Sequence, residues 1–167
     1  MTAATASAAA AAPRRSHIWA IVLAGFAGGA VDFVYANGVA LVHGRSVLRP
    51  WQGVASGWIG KAAAEGGLAT AALGLLTHWG IAFCMAVAFA LAARRVRRLY
   101  ERPVASGLLY GLVLYGVMYL IVLPLRFPQI FPRWDGVQSL TDIATHLGVG
   151  LAIAMVLSRD ARATLNR

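Results

Sequence analysis

Four long apolar runs restrict the fold of this chain more than any other feature of its sequence. They cover about residues 18–42, 71–93, 104–123 and 137–158. Each reaches the roughly 20 helical residues that cross the hydrocarbon core of a bilayer. Only 13% of the residues are charged, against about 25% in an ordinary soluble domain. The sequence therefore predicts an all-α membrane protein, a bundle of four transmembrane helices.

The segments outside these runs are short. Residues 1–16 open on an Ala/Thr/Ser-rich stretch and predict a disordered cytoplasmic tail. Residues 17–160 are interpreted as one transmembrane domain, and residues 161–167 as a second cytoplasmic tail. The first run is too long for the 7–15-residue core of a secretory signal, so it is interpreted as the first span.

The connection between the first two runs has the pattern of a short amphipathic helix. Pro50 suits a first helical turn, and Trp51, Val54 and Trp58 recur at helical spacing before Gly66 and Gly67, which we expect to end the segment. We expect this helix to lie on the periplasmic membrane face. Because indole rings favour the headgroup layer, the predicted interface anchors are Trp51, Trp58 and Trp134.

The basic residues predict the orientation. Ten of the fifteen Arg and Lys residues lie on the side that holds both termini and the 94–102 loop, and five lie on the other side. The positive-inside rule then places both termini in the cytoplasm, with a bacterial inner membrane as the predicted location. The net charge of +9 follows from these flanks, so we expect the lipid bilayer as partner and no nucleic acid. The single cysteine, Cys84, excludes a disulfide within the chain.

Small residues in the runs predict close helix packing, since lipid offers apolar helices little hydrophobic reason to associate. The predicted packing positions are Gly25, Gly28, Gly29, Gly74, Gly107, Gly111, Gly148 and Gly150. The pattern leaves open whether the partner is another span, a second copy of the chain or a larger membrane complex.

Polar residues within apolar runs are costly in a bilayer and indicate a functional site. The predicted site comprises Asp32, Thr77, His78, Asp142 and His146. His78 and His146 lie early in runs that point the same way, so both should sit about 12–14 Å below the outer surface. Asp142 and His146 are one helical turn apart, so the carboxylate is expected to fix the histidine tautomer.

Three interpretations of this cluster stay open. The polar residues can form a network that only fixes helix register. They can bind a metal ion or a b-type haem through His78 and His146. They can form a proton or ion relay, or bind a small solute. The motifs of soluble enzymes are missing from the sequence, so no catalytic residue is predicted.

Several short motifs resemble the YagU-type family of bacterial inner-membrane proteins. The similarity rests on Thr77-His78, a Gly-rich third run before Pro124, Asp142 with His146-Leu147, and Arg159-Asp160. One member of that family is linked to acid resistance, so the resemblance implies a small inner-membrane protein tied to acid or envelope stress through its His/Asp site. The alternatives are an accessory subunit of a larger membrane complex and a haem or metal protein.

Overall fold

The structure, a computed structural model, describes residues 17–165. Within that range the chain is helical and has no β-strand. The helices are α1 (His17–Val42), α2 (Arg49–Ile59), α3 (Gly67–Arg95), α4 (Arg98–Glu101), α5 (Pro103–Val117), α6 (Leu123–Arg126) and α7 (Gly136–Leu165). A 3-10 turn follows α2, and a π-helical turn, Met118–Val122, joins α5 to α6. Four segments are long and apolar enough to cross a bilayer: α1, α3, α5 through α6, and α7. The predicted four-span bundle is confirmed.

α1 packs against both α3 and α7, and α7 packs against α5, whereas α3 and α5 make little contact with each other. One end of the bundle, the terminal end, holds the start of α1 and the end of α7, where His17 Nδ1 lies 3.2 Å from Asp160 Oδ2. The opposite end, the α2 end, holds α2 and the loop between α6 and α7. Large apolar side chains on the outer faces of all four spans stay exposed, as a lipid-facing surface requires.

The dense core lies in the half of the bundle near the terminal end. It is built mainly from alanines with a few large side chains at its centre, among them Phe89, Ile153 and Leu157. Alanine lets helix backbones approach closely, and close van der Waals packing is what holds apolar helices together in lipid. The half near the α2 end contains the buried polar residues Gln52, His78, Ser139 and Asp142.

The eight glycines of the predicted packing set all lie at close contacts between helices of this chain. A Cβ atom at Gly107, Gly111 or Gly150 would strike the backbone of the facing helix, so these positions bring α5 directly onto α7. Gly74 lies against the backbone of α2. The other four face side chains across an interface, with Gly25 against Phe83, Gly28 against Ile153, Gly29 against Trp79 and Gly148 against Val31.

The amphipathic helix is present as α2, but one predicted interface anchor is wrong. Trp51 is only 5% exposed, because α2 crosses α3 at Gly74 and turns this indole into the bundle. Trp58 and Trp134 remain 68% and 65% exposed. The helix ends at Ile59, before the predicted Gly66 and Gly67, because Gly60 adopts a positive φ of 65° that favours glycine.

The third span does not stop at Pro124 as predicted. The helix continues through this proline to Arg126, directly after the π-helical turn. Proline lacks an amide hydrogen, and its ring clashes with the carbonyl four residues earlier. In the wider turn the amide of Leu123 bonds to the carbonyl of Met118, five residues back. This wider hydrogen-bond pattern leaves space for the proline ring, so the span bends at Pro124 and stays helical.

The remaining differences concern the ends of elements. α3 begins four residues before the predicted span, at Gly67. α7 continues to Leu165 and so takes up most of the predicted tail 161–167. The predicted disordered tail 1–16 lies outside the described residues.

Candidate functional site

A cavity of about 170 Å³ lies among the spans in the half near the α2 end. Its polar lining comes from three helices: Asp32 on α1, His78 on α3 and His146 on α7. Apolar side chains and Tyr119, from the π-helical turn, complete the wall. The structure therefore brings both histidines and Asp32 to one space, and we call these three residues the cavity triad.

His78 is held by contacts at both ring nitrogens. Its Nε2 lies 3.1 Å from the carbonyl oxygen of Gly29, and a carbonyl only accepts, so Nε2 carries a hydrogen. Its Nδ1 lies 3.5 Å from Asp32 Oδ2. The second proton of the imidazole therefore faces a carboxylate. A proton gained at Nδ1 creates an ion pair with Asp32.

Aromatic rings close the site on the side of α2. Trp51 stacks on Phe33 with 5.0 Å between ring centroids, and its ring lies 5.0 Å from that of His78. Trp79 packs edge-on against the same imidazole, with 5.4 Å between ring centroids. The His78 side chain is 10% exposed, whereas that of Asp32 is 35% exposed. The pair is therefore more open on the side of the aspartate.

His146 is oriented by its own helix. Its Nδ1 lies 2.9 Å from the backbone carbonyl of Asp142, one turn earlier, so Nδ1 carries the hydrogen. The prediction that the Asp142 carboxylate fixes this tautomer is wrong, because the backbone oxygen does so. Tyr115 and Tyr119 pack edge-on against the ring, at 5.7 and 5.6 Å. Nε2 has no hydrogen-bond partner among residues 17–165 and is the atom available to a proton or ligand.

The Asp142 carboxylate belongs to a second polar cluster between α1 and α7. Tyr35 donates to Asp142 Oδ1 at 2.5 Å, and Gln138 donates to the same oxygen at 2.9 Å. Gln138 also donates to the Tyr35 hydroxyl at 2.6 Å, and Thr141 lies 2.9 Å from that hydroxyl. We call Tyr35, Gln138, Thr141 and Asp142 the tyrosine cluster. The hydrogen bonds of this cluster satisfy the buried Asp142 carboxylate and join α1 to α7.

Sequence reasoning missed Tyr35 and Gln138. Gln138 lies one turn before Asp142, and Tyr35 lies three residues after Asp32, so helical spacing alone could have brought both into the predicted set. A hydropathy pattern does not single out Tyr35, because its ring counts as apolar. Its hydroxyl nevertheless needs a hydrogen-bond partner when it is buried.

Thr77 does not join either cluster. Its hydroxyl donates to the carbonyl of Leu73 at 2.9 Å and accepts from Trp58 Nε1, also at 2.9 Å. Thr77 therefore links α3 to α2 near the surface of the bundle. Of the five predicted site residues, three form the cavity triad, Asp142 belongs to the tyrosine cluster and Thr77 supports α2.

The residues present do not fit a metal ion or a b-type haem well. Among residues 17–165, no group of three or more His, Cys, Asp or Glu side chains could hold a metal ion. A metal would also need a bare nitrogen from each histidine, and His78 has Gly29 at one nitrogen and Asp32 at the other. Cys84 is exposed on the outer surface of α3, away from the cavity.

Comparison of the chain with models of protein families, with curated proteins and with solved structures finds no match. The fold and the site define a class in physical terms. The chain is a helical bundle whose four apolar helices are compatible with a multi-pass membrane protein. Its distinguishing feature is a small cavity that gathers two imidazoles and one carboxylate.

Proposed function

We propose that this chain is an acid-responsive protein of a bacterial inner membrane, similar to the YagU-type proteins, and that the cavity triad is its proton-binding site. The observation that carries the proposal is the lining of one cavity by Asp32, His78 and His146. Histidine is the side chain whose charge ordinarily changes between about pH 5 and 8. Titratable groups within a membrane bundle are costly and mark function by default.

The charges of the triad explain how it can act as a switch. His78 meets Asp32 from α1 and the uncharged rings of Trp51 and Trp79. One bound proton on this pair is balanced by the carboxylate. A second proton, on Nε2 of His146, has no carboxylate within hydrogen-bond distance among residues 17–165, although the Asp142 carboxylate one turn away keeps its negative charge while it accepts from Tyr35 and Gln138. Two bound protons change the charge of the cavity triad from −1 to +1 within a small space, and such a change in charge favours a change in helix packing.

The orientation belongs to the same proposal. Among residues 17–165, the terminal end carries seven Arg residues and the α2 end carries five Arg and Lys residues, which favours the cytoplasmic side for the terminal end. The α2 end then faces the periplasm, where external acid arrives first. In a Cys84→Ser background, an impermeant maleimide should label Gln129→Cys in spheroplasts and should label Arg97→Cys only after lysis. The opposite pattern would reverse the orientation.

Growth at low pH tests the function. A strain that lacks the protein should survive acid less well, and His78→Gln combined with His146→Gln should fail to restore survival. Glutamine keeps a side-chain amide near the carbonyl of Gly29 but cannot gain a proton. His43→Gln is the matched control, because His43 is exposed at the same end and bonds only to the carbonyl of Val39. Full rescue by the double variant, at wild-type protein level, would reject the acid-response proposal.

The accessory-subunit alternative receives less support. That interpretation expects small-residue faces left uncovered in the monomer. The eight glycines of the predicted packing set contact helices of the same chain, and the uncovered glycines of the spans are Gly38, Gly80 and Gly116, one each on α1, α3 and α5. The bilayer is the partner that four apolar spans favour most directly.

A further inference from the structure

A lateral cleft separates α3 from the third span in the half near the α2 end. Toward the terminal end the two helices meet, where the Tyr110 hydroxyl donates to the carbonyl of Met85 at 2.7 Å and the Tyr110 ring packs against Phe89. Toward the α2 end they diverge. The resulting cleft has a volume of about 710 Å³, with Ile81 on one wall and Met118 on the other.

The cleft is apolar along its length and is roofed by α2. Val54 and Trp58 contribute from the roof, and Val122 and Leu123 from the third span. Its volume falls within the roughly 300–1,000 Å³ of ordinary ligand pockets. The surrounding outer surface is apolar as well, with Leu125 80% exposed beside the cleft. An apolar chain could therefore enter sideways from the bilayer.

The mouth of the cleft at the α2 end is strongly basic. A second pocket of about 520 Å³ adjoins the cleft and shares Gly53, Arg126 and Phe127 with it. Arg49, Lys61 and Arg126 line this pocket, and no acidic residue does. None of the three forms an ion pair with a carboxylate among residues 17–165. The Nε of Arg126 donates to the carbonyl of Gly57, which fixes the guanidinium between the two pockets.

We infer that this cleft binds one anionic phospholipid, with an acyl chain between α3 and the third span and the headgroup phosphate at the basic mouth. The apolar walls match the chain, and three cations without an opposing carboxylate match the phosphate. A zwitterionic lipid offers the same chain but carries no net charge. The inference is independent of the acid response, because the cavity triad does not line either pocket.

The test is native mass spectrometry of the full chain in detergent, with phosphatidylglycerol, phosphatidylcholine or inorganic phosphate added. We expect one tightly retained phosphatidylglycerol and weaker retention of phosphatidylcholine and phosphate. Lys61→Gln should weaken phosphatidylglycerol binding about fivefold, the effect of one basic side chain near an anionic lipid. Arg45→Gln is the matched control, because Arg45 is an exposed cation at the same end that lines neither pocket.

A steric variant tests the cleft itself. Gly53 lines both pockets, and a Cβ atom there meets nothing within 4 Å, so Gly53→Leu should fold and fill the junction. We expect at least a fivefold loss of phosphatidylglycerol binding. Gly38→Leu is its control, because Gly38 is equally unobstructed and lies outside both pockets.

Three results would overturn the inference. Equal retention of phosphatidylglycerol and phosphatidylcholine would remove the role of the basic mouth. Retention of free phosphate as tight as that of the lipid would remove the role of the cleft. Unchanged binding in both Lys61→Gln and Gly53→Leu would assign the retained lipid to the general bilayer-facing surface.

Discussion

Backbone carbonyls hold both histidines of the cavity triad. His78 donates through Nε2 to the carbonyl of Gly29 on a neighbouring helix. His146 donates through Nδ1 to the carbonyl of Asp142 on its own helix. Each imidazole therefore keeps one nitrogen for a proton. The two remaining nitrogens differ in surroundings, since Nδ1 of His78 faces Asp32 and Nε2 of His146 has no hydrogen-bond partner among the described residues.

Removal of the Tyr35 hydroxyl should destabilise the bundle measurably. Tyr35→Phe deletes one of the two donors to Asp142 Oδ1 and leaves the carboxylate held by Gln138. We expect a loss of about 1–2 kcal/mol, because the bond has a charged acceptor but partners within membrane bundles partly compensate. The free energy of unfolding in mixed detergent micelles measures it.

Tyr115→Phe provides the matched control for that change. The Tyr115 hydroxyl has no hydrogen-bond partner among residues 17–165, and its ring stacks on Tyr119 in either case. We expect a change within about 0.5 kcal/mol. Similar losses in both variants would contradict the role given to the tyrosine cluster.

The sequence predicted which side chains share a helix face but not which atoms meet. The spacing of Asp142 and His146 placed them one turn apart, and the structure has them there. The imidazole contacts the carbonyl of Asp142, and the carboxylate accepts hydrogen bonds elsewhere. The carboxylate accepts instead from Tyr35, on a different helix, and from Gln138. Such a choice depends on tertiary packing, which helical spacing does not contain.

α5 and α7 make the most extensive contact between any two described spans. Three glycines let the backbones meet: Gly107 and Gly111 on α5 and Gly150 on α7. This contact also positions the site, because Gly111 lies directly against the backbone of His146. Sequence spacing predicted these packing positions but not which helix each of them faces, because no single helix encodes which spans pack together.

An added methyl group should have opposite effects at two glycines of the third span. Gly111→Ala forces α5 away from α7 and should cost about 1–3 kcal/mol, the usual range for overpacking. Gly116→Ala meets nothing within 4 Å and should be neutral or stabilise by up to about 1 kcal/mol, because alanine favours helix. Unfolding in mixed micelles compares them, and equal effects would contradict the assigned interface.

Pro124 lies inside the third span, although a proline is expected to end a helix. Proline ends most helices because it removes a hydrogen bond and crowds the preceding turn. Here the π-helical turn over Met118–Val122 absorbs both effects. The same turn carries Tyr119 beside His146 and Met118 along the lateral cleft. A π-helical turn is rare and leaves little signal in sequence, so this bend was not predictable.

The whole molecule is asymmetric along its long axis. The alanine-rich core fills the half near the terminal end, and the cavity triad, the tyrosine cluster and the lateral cleft all lie in the other half. The sequence predicted that the titratable groups gather in this half, because their positions along each run could be counted. It could not predict the cavity or the cleft, because both depend on how α3 diverges from the third span toward the α2 end.

Proton binding by the cavity triad is tested most directly by nuclear magnetic resonance of the imidazole rings in the histidine-labelled protein. The chain has four histidines, so single His→Gln variants can assign every signal. We expect the His78 and His146 signals to shift between about pH 8 and 5, and Asp32→Asn to alter the titration of His78 but not that of His43. If both cavity histidines stay constant over this range while His43 titrates, the cavity is a static polar contact and the acid-response proposal is wrong.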